Sequence, residues 1–165
     1  MTEANVVLRP AETRDLPELG RLGAMLMRTH HGFDPQRFLS PGAHPEEGYA
    51  WFLGTQLAEE GVLVLVAELA GRVVGYAYAG VEEKSWKELR DVAGFIHDVA
   101  VEDGARRHGI AERLVEAAAA WLADRGMERI VLWTAEANVP AQRLFAKLRF
   151  RRTMIEMTRE TGRRG

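Results

Sequence analysis

Apolar residues in this chain alternate with polar ones in some stretches and recur every three or four positions in others. The first pattern is typical of strands and the second of amphipathic helices. Together with turn residues such as Gly61, Gly71 and Gly126, the patterns predict six strands, over residues 6–10, 62–67, 73–81, 95–101, 129–134 and 150–159. They predict four helices, over residues 16–26, 45–60, 109–126 and 138–148.

The first helix is predicted with particular detail. Asp15 is a candidate N-terminal cap because Glu18 follows three residues later. Gly20 and Gly23 each weaken this helix by about 1 kcal/mol relative to alanine, so we expect close packing or a bend there. Its apolar stripe is formed by Leu16, Leu19, Leu22 and Leu26.

The order of these elements, β-α-α-β-β-β-α-β-α-β, combines hairpins with crossover connections. This mixture predicts the α/β (α+β mixed sheet) fold class, with helices on both faces of one mixed sheet. The Pro/Gly-rich stretch at residues 40–45 is too short to separate two domains. We therefore expect a single domain over residues 1–165, with flexible termini at about residues 1–5 and 160–165.

Composition excludes several classes of function. The chain has 22 Lys and Arg against 24 Asp and Glu, and a net charge of -2 gives no bulk attraction to nucleic acid. It has no cysteine, which excludes disulfides and a cysteine nucleophile. No apolar run has membrane-spanning length, and residues 1–4 lack the features of a signal peptide. We expect a cytoplasmic protein without a nucleic-acid or membrane partner.

One loop has residues suited to an anion. The strand at residues 95–101 runs into Arg106-Arg107-His108-Gly109-Ile110-Ala111, and a long helix follows. The first amides of a helix lack intrahelical partners and lie at the positive end of its dipole, which favours phosphate binding. The alternative is an ordinary strand-to-helix turn with a solvated basic pair.

Several motifs at matching spacing resemble the GCN5-related N-acetyltransferase (GNAT) family. The family's cofactor motif, V-x-P-x-x-[RQ]-x-x-G-x-[GA], is similar to Asp98-Val99-Ala100-Val101 followed by Arg106-Arg107-His108-Gly109-Ile110-Ala111, with Asp103 where proline is common. Three further stretches are similar to other family motifs: Leu8-Arg9-Pro10-Ala11 with Asp15-Leu16, Val73-Val74-Gly75-Tyr76, and Asn138-x-x-Ala141-x-x-Leu144-Phe145-x-x-Leu148-x-Phe150. The resemblance covers nearly the whole chain.

The resemblance implies a GNAT-type fold that binds acetyl-CoA between two splayed strands, which end near Val101 and Thr134. It implies that backbone groups of Val99 and Val101 and the side chain of Asn138 hold the pantetheine arm. The implied pyrophosphate site consists of the loop residues Arg106, Arg107, His108, Gly109, Ile110 and Ala111. Phe145 is expected beside the cofactor as well.

The resemblance also implies direct attack by a neutral amine on the thioester, with a base that removes the amine proton. His97 stands at the offset where arylalkylamine acetyltransferases of the family place such a histidine, whereas a hydrogen-bonded interior histidine is the alternative. Asp98 is a second candidate if a β-bulge turns it to the same side. Phe145 replaces the tyrosine that protonates the thiolate in many relatives, which leaves solvent, Tyr76 or Tyr78 for that step.

The acceptor side is weakly marked in the sequence. His30, His31 and Asp34 form a cluster that could bind the acceptor or could be an ordinary helix end, and Trp86 lies in a loop near the expected cleft. Adjacent histidines diverge on a helix, so no metal site is expected.

The leading hypothesis is an acetyl-CoA-dependent N-acetyltransferase that acts on a small-molecule primary amine. Two alternatives are a catalytically weakened acetyl-CoA sensor, suggested by Phe145, and a protein N-terminal acetyltransferase. A homodimer through an edge strand at residues 150–159 is a further hypothesis.

Overall fold

The structure, a computed structural model, describes residues 5–106 and 108–163, which contain five strands and four α-helices. The strands are β1 (Val6–Pro10), β2 (Val62–Leu69), β3 (Arg72–Glu82), β4 (Ala93–Val101) and β5 (Ile130–Leu132). The helices are α1 (Leu16–Phe33), α2 (Pro45–Gln56), α3 (Ile110–Asp124) and α4 (Val139–Lys147). Short 3-10 turns at Thr13–Asp15 and Asp103–Ala105 precede α1 and α3.

The strands form one mixed sheet in sequence order, β1-β2-β3-β4-β5. The first three pairings are antiparallel, and β4 pairs with β5 in parallel. A parallel pair requires a crossover, which α3 supplies. The predicted mixed α/β architecture is confirmed.

Alternate residues of the central strands pack into two cores, one on each face of the sheet. On one face Leu63 and Leu65 pack with α3 through Leu114 and Leu122. On the other face the residues between them, such as Val64, pack with α1 and α2. Burial on both faces explains why β2 has a continuous apolar sequence rather than an alternating one. None of the helices in the described ranges is long and apolar enough to cross a membrane.

The predicted final strand at residues 150–159 is wrong, because residues 151–159 have no strand structure and are exposed. Met154 and Ile155 are adjacent, so their apolar side chains cannot share one face of a strand. The neighbouring β5 has only three residues and offers a short edge for pairing. Dimerisation through this segment stays a prediction. Parts of the predicted flexible termini lie outside the described residues. Arg107 of the predicted pyrophosphate site lies outside them as well.

Some predicted element ends also shift, and one predicted cap is absent. β5 is shorter than the predicted 129–134, and α2 ends at Gln56 rather than near residue 60. The side chain of Asp15 makes no capping hydrogen bond to α1. Its carboxylate accepts the N–H of Glu12 and two bonds from the guanidinium of Arg9, at 2.7 and 2.8 Å. Both partners of the Arg9 bonds are ionised, so these bonds hold the carboxylate toward β1 rather than over the start of α1.

The two glycines of α1 let α2 approach closely, as the sequence suggested. A Cβ atom at Gly20 would overlap the carbonyl oxygen of Glu46 on α2. A Cβ atom at Gly23 would overlap the ring of Tyr49. The absence of side chains on this face of α1 therefore determines where Tyr49 lies.

Gly20→Ala should lower the free energy of unfolding by about 1–3 kcal/mol, because a methyl group would push α2 away from α1. This loss would occur although alanine has the higher helix propensity. Gly32→Ala is the matched control, since a Cβ atom at Gly32 of the same helix meets no atom within 4 Å. Urea unfolding should show no loss for Gly32→Ala, and equal losses for both variants would contradict this packing.

Candidate active site

β5 pairs along its whole length with the beginning of β4, and the chain that follows β5 then separates from β4. The parallel pairing joins Gly94 to Ile130 and ends where Ile96 meets Leu132. β4 continues to Val101, so within the described chain its edge beyond Ile96 has no strand partner on the β5 side. The exposed backbone groups at this edge are therefore available to a ligand.

A cavity of about 310 Å³ lies at this divergence. Its lining combines side chains from α1, α2, β4 and α4, together with the residues that follow β5. Six predicted site residues line it, together with Ile96 from the predicted strand at residues 95–101; the six are His30, His97, Asp98, Val99, Asn138 and Phe145.

His97 is an extra residue in β4. Tyr78 of β3 pairs with Asp98 and Ala79 pairs with Ile96, so the register shifts and His97 has no opposite residue. Such a bulge interrupts the alternation of side chains between the two faces. His97 and Asp98 both line the cavity as a result, which is the arrangement that the sequence left open for Asp98.

The carboxylate of Asp98 is held by two tyrosine hydroxyl groups. Tyr76 donates to its Oδ2 atom at 2.9 Å, and Tyr49 donates to the same atom. Burial raises the pKa of Asp98 above its ordinary value, although the two hydroxyl bonds act in the opposite direction. Burial also raises the pKa of both tyrosines, so each remains a donor at neutral pH. Tyr76, which the sequence analysis named for another step, is fully buried and contacts Asp98. Tyr49 was not identified from the sequence.

His97 occupies a different environment from Asp98. Its Nε2 atom lies 2.9 Å from Oε1 of Glu82. Its ring lies between those of Tyr78 and Phe95, with centroid distances of 4.9 and 5.5 Å. His97 therefore combines access to the cavity with a carboxylate partner near the surface.

The loop before α3 has the geometry of an anion site. Gly109 has a φ of 66°, in the left-handed region that favours glycine, and a Cβ atom there would meet no atom within 4 Å. Ile110 and Ala111 begin a helix of 15 residues, whose first amides lack intrahelical acceptors. Arg106 pairs with Asp103 at 3.0 Å, so part of its charge is neutralised, and His108 is exposed.

Three of the remaining residues that were predicted to bind the cofactor line the same cavity. Asn138 caps α4, because its Oδ1 atom accepts the N–H of Ala141 at 3.3 Å. Phe145 lines the cavity and packs against Phe150, with ring centroids 5.9 Å apart. Val99 lines the cavity, whereas Val101 does not, and its carbonyl oxygen lies 3.4 Å from Nε of Arg106.

Only one of the four predicted acceptor residues lines the cavity. His30 does so, and its Nδ1 atom lies 2.9 Å from the carbonyl oxygen of Leu26. His31 contacts the carbonyl oxygen of Phe38, and Asp34 accepts backbone N–H groups of the next turn. Trp86 is 81% exposed and lies outside this cavity. The sequence missed further lining residues, namely Leu26, Met27, Phe38, Leu39, Tyr49, Leu132, Trp133, Thr134 and Ala141.

The sequence profile of the acetyltransferase (GNAT) family matches residues 26–150. An N-alpha-acetyltransferase of Saccharolobus solfataricus is 32% identical over 116 residues, which are 67% of this chain and 70% of that protein. A mycothiol acetyltransferase of Thermomonospora curvata is 28% identical over 161 residues, or 90% of this chain. The chain spans about half, 52%, of the length of that relative.

Solved structures share the fold. An aminoglycoside N-acetyltransferase, AAC(6')-Iy in complex with CoA, superposes with a TM-score of 0.74 at 17% identity. The match covers 96% of each chain. At this identity the likeness concerns the fold alone.

The raised pKa of Asp98 has a measurable effect on stability. The folded state holds the Asp98 proton more tightly than the unfolded chain, so ionisation costs stability as pH rises. Relative to Asp98→Asn, the free energy of unfolding of the unsubstituted protein should therefore fall as pH rises from about 3.9 through the raised pKa. Urea unfolding at a series of pH values measures this difference.

Asp15 supplies a control of opposite sign. Hydrogen bonds from Arg9 lower the pKa of Asp15, so its ionised form stabilises the folded state. Relative to Asp15→Asn, the protein should lose stability as pH falls below about 3.9. A difference curve for Asp98 with the same slope as that for Asp15 would contradict the assignment.

Proposed function

The chain belongs to the GNAT family of acetyltransferases, and we propose that it transfers the acetyl group of acetyl-CoA to the primary amine of a small molecule. The observation that carries this proposal is the cavity where β4 and β5 diverge, with the partly buried carboxylate of Asp98 in its wall. A cavity of about 310 Å³ is at the small end of the range for small-molecule sites.

The residues around the divergence fit acetyl-CoA. The open space over Gly109 allows an anion to approach the backbone, and the N-terminus of α3 favours negative charge. The free edge of β4 at Val99 offers peptide groups to an amide-containing arm, with Asn138 and Phe145 opposite. When bound, acetyl-CoA supplies an acetyl group activated as a thioester.

Asp98 is the group that we propose to receive the acceptor and its proton. Amines are largely protonated at neutral pH, and a carboxylate attracts the ammonium form into the cavity. Both tyrosine hydroxyls donate to Oδ2, so Oδ1 is the atom that accepts a hydrogen bond from the amine. The raised pKa makes this carboxylate a stronger base than an exposed aspartate.

His97 is the second candidate for the base, and its contacts favour a secondary role beside Asp98. Its Nε2 atom is already paired with Glu82, whereas its ring reaches the cavity beside Asp98. Phe145 has no proton to donate, so protonation of the departing thiolate is left to solvent. Tyr76 could protonate the thiolate only by giving up its hydrogen bond to Asp98, and the hydroxyl group of Tyr78 donates a hydrogen bond to Gln56.

A thiol-release assay over a panel of primary amines and short peptides tests the proposal. We expect turnover with small amines, and Asp98→Asn should lower kcat by about 100-fold or more because the base is lost. The affinity for CoA should not change, since Asp98 lies within β4 and not in the loop at Gly109. His97→Gln is the comparison variant and should lose less than Asp98→Asn.

Three outcomes would overturn parts of this proposal. Tight acetyl-CoA binding without turnover of any amine would favour a catalytically weakened acetyl-CoA sensor over an enzyme. Turnover of peptides alone would favour the protein N-terminal alternative. A larger kcat loss for His97→Gln than for Asp98→Asn would transfer the role of base to His97.

The charge at Gly109 should control CoA binding. Asp and Asn both tolerate left-handed backbone and have nearly the same shape. We therefore expect Gly109→Asp to weaken CoA binding by about tenfold or more relative to Gly109→Asn, because a carboxylate repels the pyrophosphate. Calorimetric titration measures both affinities. Gly104→Asp, in the preceding exposed turn, should bind CoA as the unsubstituted protein does. Equal affinities for the two Gly109 variants would reject the loop as the phosphate site.

A further inference from the structure

A continuous row of six rings crosses the sheet beside the cavity. Successive ring centroids lie 4.9 to 6.0 Å apart along the row. The row begins on α2, crosses β3 and β4, and ends after β5. We refer to it as the aromatic belt, which comprises Tyr49, Phe52, Tyr78, His97, Phe95 and Trp133.

The belt is partly open to solvent. Phe95 is buried, but Phe52 is 37% exposed and Trp133 is 71% exposed. A large exposed aromatic ring beside a cavity is more typical of a binding surface than of a core. Trp133 and His97 line both the cavity of about 310 Å³, which we call the active cavity, and a second cavity of about 220 Å³. This end of the belt therefore lies between the two cavities.

The carboxylates of the second cavity already have partners. Glu82 bonds to His97 at 2.9 Å, and Glu88 pairs with Arg90 at 2.7 Å. The guanidinium of Arg90 in turn lies 4.9 Å from the centroid of the Phe95 ring. Besides these paired charges, the space offers a ligand the rings of Phe95, His97 and Trp133.

The active cavity itself has a single carboxylate. Asp98 is the one acidic residue among the described residues that line it, and none of those residues is Lys or Arg. One carboxylate can neutralise one ammonium group. An acceptor with several ammonium groups would bury the others without a partner, at a high desolvation cost. The lining instead matches an acceptor with one amine and an apolar body.

We infer that the acceptor is a primary amine that carries a flat apolar ring, with its ammonium group against Asp98 and its ring against Trp133 and His97. This inference rests on the proposed function and specifies its substrate class. Flat rings gain from stacked and edge-to-face contact with aromatic side chains, whereas a puckered ring of similar size fills the same space without that contact.

The test compares three amines in the thiol-release assay. 2-Phenylethylamine and 2-cyclohexylethylamine have one ammonium group each and similar size, but only the first has a flat ring. Kanamycin carries several ammonium groups. We expect kcat/KM to be about tenfold higher for the phenyl than for the cyclohexyl compound, and lowest for kanamycin.

Trp133→Leu removes the ring but keeps an apolar side chain at an exposed position. It should abolish the preference for the phenyl compound, mainly by raising its KM, and leave the cyclohexyl compound nearly unchanged. Trp51→Leu is the matched control, because Trp51 is 73% exposed on α2 and lines neither cavity. This control should retain the full preference.

The outcomes separate the inference from the proposed function. Preferred turnover of kanamycin, or an unchanged preference in Trp133→Leu, would overturn the inference while the acetyltransferase activity stands. Absence of turnover with every amine would overturn the proposed function. In that case calorimetric titration of the CoA-bound protein with 2-phenylethylamine decides the inference, and absence of binding would reject it.

Discussion

The candidate site depends on one extra residue in β4. A strand places successive side chains on opposite faces, so a regular β4 would turn His97 and Asp98 away from each other. The bulge at His97 interrupts this alternation, and both side chains line the cavity as a consequence. β5 ends beside the same point, which frees the edge of β4 for a ligand. The reactive groups and the opening between the strands thus arise within a few residues of each other.

A buried carboxylate is costly unless it is hydrogen-bonded, and this requirement connects the site to the helix packing. Tyr76 reaches Asp98 from the neighbouring strand, but Tyr49 reaches it from α2. Tyr49 can lie there only because Gly23 of α1 has no side chain to obstruct its ring. A glycine that weakens its own helix therefore supports a polar group on another element. The free-energy cost in α1 is offset by the hydrogen bond that the approach of α2 permits.

The residues proposed to bind acetyl-CoA are marked in the sequence by local motifs, whereas most residues that line the cavity are not. The motif from Arg106 to Ala111 is contiguous, and the left-handed backbone of Gly109 is a local property that sequence reveals. The sequence predicts a helix that begins at Asn138, and the side chain of Asn138 caps α4. Tyr49 and Trp133, by contrast, enter the cavity from elements far apart in the chain. The error at residues 150–159 has a related cause, since a strand exists only when a partner edge is present, and β5 is too short to supply one.

The proposed function explains this difference, because the acetyl-CoA part and the acceptor part of the site would recognise different kinds of chemical group. Pyrophosphate and a pantetheine arm can be bound by peptide groups, so a short segment with suitable backbone geometry is sufficient, and its sequence is recognisable. An acceptor is distinguished from its competitors by shape, charge and ring contacts, which only side chains provide. In this chain those side chains come from α1, α2, β4 and the end of β5, and they meet through tertiary packing alone. Members of one fold can therefore keep a common donor motif while the surrounding side chains define different acceptors.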